Sequence, residues 1–168
     1  MAYRRRDRRS HHKAEDGKGM GGAFHGATVI TLDAKGRLAI PTRHRETLVT
    51  PRRPLVLTAH PDGCALIYHD AEWETVRAQV EKFPSFHAQA SWWKRLLLGF
   101  EEHVLPDGSG RILVSAALRM HARLEREVMM VGQGRYFELW DSGVWSAKRD
   151  GALAGGSTPP PGMEDFSL

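Results

Sequence analysis

Cysteine is almost absent: Cys64 is the only one among 168 residues. No internal disulfide can staple the chain, so its stability must come from packing, and a lone thiol suits the reducing cytosol in which the protein is expected. Long apolar runs are missing too. No stretch approaches the roughly 18 apolar residues a membrane span needs, and the start, Met1-Ala2-Tyr3-Arg4-Arg5-Arg6, leads into charge and histidine where a secretory signal would have an apolar core. Neither membrane insertion nor export is expected. Excess charge is also lacking from the part expected to fold. The formal net charge of +4 sits within residues 1–23, where seven Lys/Arg face three Asp/Glu, and the remainder balances. Any anion-binding face must therefore come from local clustering, not from overall pI. Signatures of catalysis are equally scarce. His60 and His69 flank Cys64, but no Cys-x-x-Cys or His-x-x-x-His spacing supports a metal site. Gly108-Ser109-Gly110 is not a Gly-x-Ser-x-Gly nucleophile elbow, and no acid/base pair is placed by any motif. No metal, cofactor or enzyme activity is expected.

What is present falls into three zones. Residues 1–23, rich in Arg, His, Lys and Gly, hold almost nothing apolar and are expected to be a disordered basic tail. The run of arginines there would add nonspecific phosphate attraction or simply solubilise. Residues 24–150 carry nearly all the aromatic and β-branched side chains and are expected to form one domain, a length ordinary for a single core. Residues 151–168 are Gly/Pro-rich and read as a flexible C-terminal tail.

Inside the central zone the chain repeats itself. Asp33-Ala34-Lys35-Gly36-Arg37-Leu38-Ala39-Ile40 recurs 74 residues later as Asp107-Gly108-Ser109-Gly110-Arg111-Ile112-Leu113-Val114, and Leu55-Val56-Leu57 recurs as Met129-Met130-Val131. The stretch from Leu66 to Trp73 is answered by Glu138 to Trp145, with two residues lost from a connecting loop. Each copy predicts the same succession. A strand (27–32) and a turn (33–36) lead to a second strand (37–40). A short helix follows, over 42–48 in the first copy and 115–124 in the second, with Pro41/Thr42 and Ser115 as start signals. Two more strands come next, then a helix carrying Trp73 or Trp145, with Asp70 and Asp141 where N-caps belong. Between the copies, residues 86–100 place Trp92, Trp93, Leu96, Leu97 and Phe100 at helical spacing, a face expected to be buried between the halves or against a partner chain. A half of about 60 residues buries too little surface to stand alone. The expectation is an α+β fold in which repeat one (about 24–76) and repeat two (about 98–150) share a core about a pseudo-twofold axis, joined by a helical connection over about 71–100.

The duplicated Asp-x-x-Gly-Arg turn is the feature with chemical content. Aspartate opens turns through its side chain, and glycine accepts the positive φ that a tight hairpin needs. An arginine just after such a turn projects from a rigid element, where its planar fork can address phosphate oxygens or the O6/N7 edge of guanine. Asp33 and Asp107 can hold the rotamers of Arg37 and Arg111, a role more geometric than stabilising. A single turn of this kind is most simply a hairpin with a surface ion pair. Its recurrence inside a matched repeat favours function.

These residues resemble the MraZ family of bacterial regulators. The likeness rests on Phe24-His25-Gly26-Ala27-Thr28, on the run from Leu32 to Arg43, on Arg95-Leu96-Leu97-Leu98-Gly99, and on Val131-Gly132-Gln133 with Phe137-Glu138-Leu139-Trp140, and covers about residues 24–150. It implies the swapped-hairpin barrel of AbrB-like DNA-binding domains. It also implies a transcriptional regulator that binds direct repeats of double-stranded DNA at the promoter of the division and cell-wall gene cluster, as a ring-shaped homo-oligomer over the nucleoid. By the same resemblance Arg37 and Arg111 contact DNA, supported by Asp33, Gly36, Asp107 and Gly110, with Lys35, Arg43 and Arg45 as neighbouring candidates. The sequence departs from the family in its 23-residue basic extension, in Ser109 opposite Lys35, and in His103-Val104. An alternative is an oligomeric interaction module whose turns contact a protein partner.

Overall fold

In this computed structural model, which describes residues 24–49, 53–156 and 161–163, the repeat of sequence becomes a repeat of elements. The first copy runs β1 (Ala27–Thr31), β2 (Arg37–Ala39), α1 (Thr42–Leu48), β3 (Leu55–Ala59), β4 (Ala65–His69) and α2 (Asp70–Val80). After α3 (Ala88–Leu97), the second runs β5 (Glu102–Val104), β6 (Arg111–Leu113), α4 (Ala116–His121), β7 (Glu127–Gly132), β8 (Tyr136–Asp141) and α5 (Ser142–Ala154). The segment expected as a basic tail, 1–23, and half of the Gly/Pro stretch, 157–160 and 164–168, lie outside the described residues. Helix α5 itself continues past residue 150 to Ala154.

Neither copy keeps its strands to itself. The large sheet is ordered β1-β7-β8-β4-β3-β5, and β2 pairs with β6 in a sheet of two. Exchanging the copies (β1 with β5, β2 with β6, β3 with β7, β4 with β8) turns the first order into its own reverse and leaves the second unchanged. The strand pairings therefore obey the pseudo-twofold relation. Each copy's first strand lies against the other copy's third: β1 on β7 from Ala27–Val131 to Thr31–Glu127, β5 on β3 from Val104–Leu55 to Glu102–Leu57. Like meets like at the middle, β4 on β8 and β2 on β6.

Among the described residues the strands form these two antiparallel sheets, and no ring of strands closes into the barrel that the family resemblance implies. The small sheet is tied to the ends of the large one by single contacts. These are a bridge between Leu32 and Leu38 and the matching bonds Asp33 N–H to Arg37 O and Asp107 N–H to Arg111 O, each 2.8 Å.

The apolar pattern explains the layering. The strands β3 and β4 are buried on both faces, which is why 55–57 and 65–67 read as continuous apolar runs rather than alternating ones. One face packs Leu55, Leu57 and Ile67 against Leu38, Ile112 and Phe137; the other packs Val56, Leu66 and Tyr68 against Trp73, Val80 and Leu97. Burying a leucine or isoleucine side chain contributes about 1.5–3 kcal/mol. Leu38 and Ile112, wholly buried at the centre of the small sheet, are therefore what hold it down.

Several local expectations need correction. The second copy's short helix spans Ala116–His121, not 115–124: Ser115 caps it, its Oγ accepting from Leu118 N–H at 3.2 Å, and the chain reverses where Arg123 takes a left-handed φ of 52°. Asp70 is not an N-cap. His69 occupies that place with no side-chain bond to the helix, and the Asp70 carboxylate instead meets His103 Nδ1 at 3.4 Å. Asp141 does cap α5, accepting from Gly143 and Val144 N–H at 2.9 and 3.0 Å. In α3 only the last turn is buried. Leu96 and Leu97 pack and Thr58 Oγ1 donates to Leu97 O at 2.6 Å, whereas Trp92 and Trp93 remain 56% and 38% exposed.

Candidate nucleic-acid interface

The two turns are near-identical in atomic detail. Asp33 Oδ1 accepts from the N–H groups of Lys35 and Arg37, both at 2.9 Å, and Oδ2 accepts from Arg37 Nε at 2.9 Å. In the second copy Asp107 Oδ1 accepts from Ser109 and Arg111 N–H at 2.9 Å, and Oδ2 from Arg111 Nε at 2.8 Å. Each guanidinium is thereby fixed to a carboxylate, and in the first copy Arg37 Nη2 also lies 2.8 Å from Asp33 Oδ2. The backbone N–H bonds of Arg37 and Arg111, ahead of their side chains, hold Asp33 and Asp107 below the ordinary value of 3.8, against a smaller opposing push from burial. Both carboxylates stay charged in any physiological medium.

Glycine is required at the third step. Gly36 and Gly110 sit at φ 80° and 71°, a region costly to any residue with a Cβ. Their carbonyls also carry the cross-copy link, Gly36 O accepting from Val114 N–H and Gly110 O from Ile40 N–H, both at 2.9 Å.

Register then decides where the arginines go. In the β2–β6 pair Arg37 lies opposite Leu113, Leu38 opposite Ile112, and Ala39 opposite Arg111. Residues directly across an antiparallel pair share a face, and alternate residues share it too. Arg37, Ala39, Arg111 and Leu113 thus line one face, while Leu38 and Ile112 line the other and are fully buried. The outward face is open, with Leu113 53% exposed and the arginine side chains 31% and 37% exposed. The two arginines are diagonal neighbours across the strand pair, a separation of about 7–8 Å between backbones and somewhat less between Cβ atoms. One small, rigid, two-stranded platform carries both.

The neighbouring candidates are distributed unequally. Lys35 is exposed at the tip of the first turn, and its counterpart Ser109 carries no charge. Arg43 is drawn onto β1, where its guanidinium donates to Thr28 Oγ1, and also to His44 Nε2 at 3.0 Å. His44 packs edge-on to Phe137 at 4.7 Å; burial and then the Arg43 charge hold its basicity below the usual 6.5. Arg45 on α1 reaches the other copy's turn. Its Nε donates to Ile40 O at 2.9 Å, and a methyl group placed on Gly110 would stand 3.0 Å from that nitrogen. The sequence reading missed the matching residue, Arg119 on α4, which lies against Gly36 with its Cζ and Nε each 2.9 Å from where a Cβ would be. The signal was available, since Arg119 follows Arg45 by the same 74 residues that separate the turns.

Arg119 also borders an open groove of about 600 Å³ formed by Thr31, Leu32, Asp33, Ala34, Leu124, Glu125 and Arg126. Among the described residues no three His, Cys, Asp or Glu side chains converge as metal ligands, and no helix is long and apolar enough to cross a membrane. Cys64 is buried, and that burial pushes its thiol well above its usual range.

Comparison with known proteins gives a consistent result. A family model described as "MraZ protein, putative antitoxin-like" matches residues 23–96 and 97–151, one segment for each copy. The chain is 47% identical over 146 residues to the transcriptional regulator MraZ of Aromatoleum aromaticum, a match that covers 86% of this chain and 99% of that protein. The proteins of the same name from Paraburkholderia phytofirmans and Ralstonia nicotianae are 47% and 43% identical over the same shares.

Proposed function

The chain belongs to the MraZ family, and from that premise we propose that it is a transcriptional regulator, not an enzyme, that binds double-stranded DNA through its paired turns. The observation that carries the reading is the common outward face of Arg37 and Arg111, each guanidinium held by an aspartate on a two-stranded platform whose other face is buried. A positioned guanidinium loses little further freedom on engaging guanine O6/N7 or a phosphate. Asp33, Gly36, Asp107 and Gly110 build the turns, and Lys35, Arg43 and Arg45 supply nearby positive charge. The exchange of first strands between copies, with the small sheet tethered at both ends of the large one, supports the swapped-hairpin barrel of AbrB-like DNA-binding domains.

The regulator acts in the cytoplasm over the nucleoid, on direct repeats upstream of the division and cell-wall genes, as a ring-shaped homo-oligomer. One subunit neutralises only a few phosphates, and log K falls by ~0.9 per log unit of salt for each phosphate contacted. Single-repeat binding is then weak and salt-sensitive, and linked subunits on repeated sites raise occupancy. Gel-shift titration of the intact protein on one and on three repeats tests this. The array binds much more tightly, and Arg37→Ala lowers both affinities while light scattering shows the oligomer unchanged. Equal affinity for one and three repeats would remove the array mechanism. Unchanged DNA binding by Arg37→Ala would favour the rival reading, in which the turns contact a protein partner.

A further inference from the structure

The two recognition turns account for four of the side chains on this surface, Asp33, Arg37, Asp107 and Arg111. They leave Arg45 and Arg119 unexplained. Each comes from the short helix of one copy and lies on the glycine of the other copy's turn: Arg119 on Gly36, Arg45 on Gly110. Among the described residues neither forms an ion pair with a carboxylate, in contrast to Arg37 and Arg111. Arg45 has one backbone acceptor, Ile40 O. Arg119 Nε is shielded from solvent with no hydrogen-bond partner at all, although Asp33 and Glu125 border the same groove. Both side chains are half-buried. A half-buried guanidinium that lies against backbone without a counter-charge keeps donors that no acceptor in the protein takes up, and an anion with several oxygens suits them.

The geometry points to Arg45 and Arg119 as phosphate-binding residues that grip the DNA backbone beside each recognition turn, so that every half-site is composite, with its turn from one copy and its anchor from the other. This rests on the DNA-binding reading above and adds a division of labour to it. Arg37 and Arg111 stand on the platform where base edges can be addressed. Arg45 and Arg119 sit behind the turn apex, each against the peptide whose carbonyl already bonds across to the opposite copy. A phosphate at this position would receive the donors that have no acceptor within the protein. It would also make each turn's hold on DNA depend on both copies.

Fluorescence anisotropy of the full-length protein tests this, on a duplex carrying the repeats upstream of its own gene and on a scrambled duplex of equal length, across a salt series. Arg119→Ala and Arg45→Ala each weaken binding to both duplexes by a similar factor and reduce the slope of log K against log salt by ~0.9; the double variant reduces it by about twice that. Arg119→Lys keeps the charge and retains the wild-type slope. Arg37→Ala weakens binding to the repeats far more than to the scrambled duplex. Arg45→Ala, on a separate helix, carries the test on its own if Arg119→Ala melts early. Unchanged slope and affinity in folded Arg119→Ala and Arg45→Ala, with Arg37→Ala impaired, would overturn the phosphate anchors and leave the DNA-binding reading standing. No duplex binding by the wild-type protein would overturn both.

Discussion

In the first copy the turn carries Lys35 at its tip, Arg43 nearby on α1 and a half-buried His44 in the helix. In the second the equivalent positions are Ser109, Ala117 and a fully buried Leu118. The aspartate–arginine geometry is nevertheless the same to within 0.1 Å. What is held constant is the rotamer of the arginine; what varies is the charge around it. The surrounding support differs as well. Where the second copy has Gly132, which lets the Phe24 backbone approach so closely that a Cβ would stand 2.3 Å from Phe24 O, the first has Thr58, which binds the end of α3. The position is used alike in both halves, to receive the chain entering the first strand of the other copy. In one case that chain is an extended segment, and in the other a helix terminus. Helix α2 is covered by α3 and fully buries Trp73 and Val80, while α5 only half-buries Val144 and Trp145 against the sheet. A duplicated unit has thus kept its aspartate–arginine turns alike and let both the charge around them and the scaffold diverge.

Substitution at the turn glycines should give the largest effect. Alanine at either position meets an unfavourable left-handed conformation, about 1–2 kcal/mol. At Gly36 the new methyl group also meets Val114 O at 3.1 Å as well as Arg119, whereas at Gly110 its near neighbours are all flexible side-chain atoms of Arg45. Chemical denaturation is expected to show Gly36→Ala as the more destabilised of the two. Equal losses would mean that the backbone contact does not matter.

A smaller effect distinguishes the helices. His44 and His69 are both held below 6.5 in the folded chain, in each case mainly by burial. The unfolded chain then binds more protons between 6.5 and the folded values, so stability is complete above that window and falls as pH drops through it. His44→Leu, which gives the first copy the residue of the second, should flatten this fall without abolishing it, because His69 remains. Melting temperatures from pH 7.5 to 5 would check this, and an unaltered pH profile in His44→Leu would contradict it.

Much of this was legible in the sequence for a physical reason. A turn that needs aspartate for its N–H groups and glycine for its φ leaves few alternatives, and a duplicated turn marks its own register. The order of strands and the two capping residues Ser115 and Asp141 follow from the same local chemistry. Partner choice did not follow. The β1 strand would bury the same apolar face on its own hairpin or on β7, so periodicity cannot tell an exchanged pairing from a local one. Asp70 was misread because two residues are missing from the second copy's loop. Its structural counterpart is therefore Ser142, and Asp141 corresponds to His69. Trp92 and Trp93 share a helical stripe with Leu96 and Leu97, but only the end of α3 is tied to β3. Arg119 was passed over because it stands outside the turn motif, and only the fold brings it to Gly36.

The central claim is that Arg37 and Arg111 together form one DNA-facing pair. Footprinting on the DNA upstream of the protein's own gene, with wild type and the Arg37→Ala/Arg111→Ala variant compared at equal folded concentration, tests it most directly. Regularly spaced protection that disappears in the double variant, with circular dichroism and oligomer mass preserved, is the predicted result; protection that persists in the double variant would contradict it.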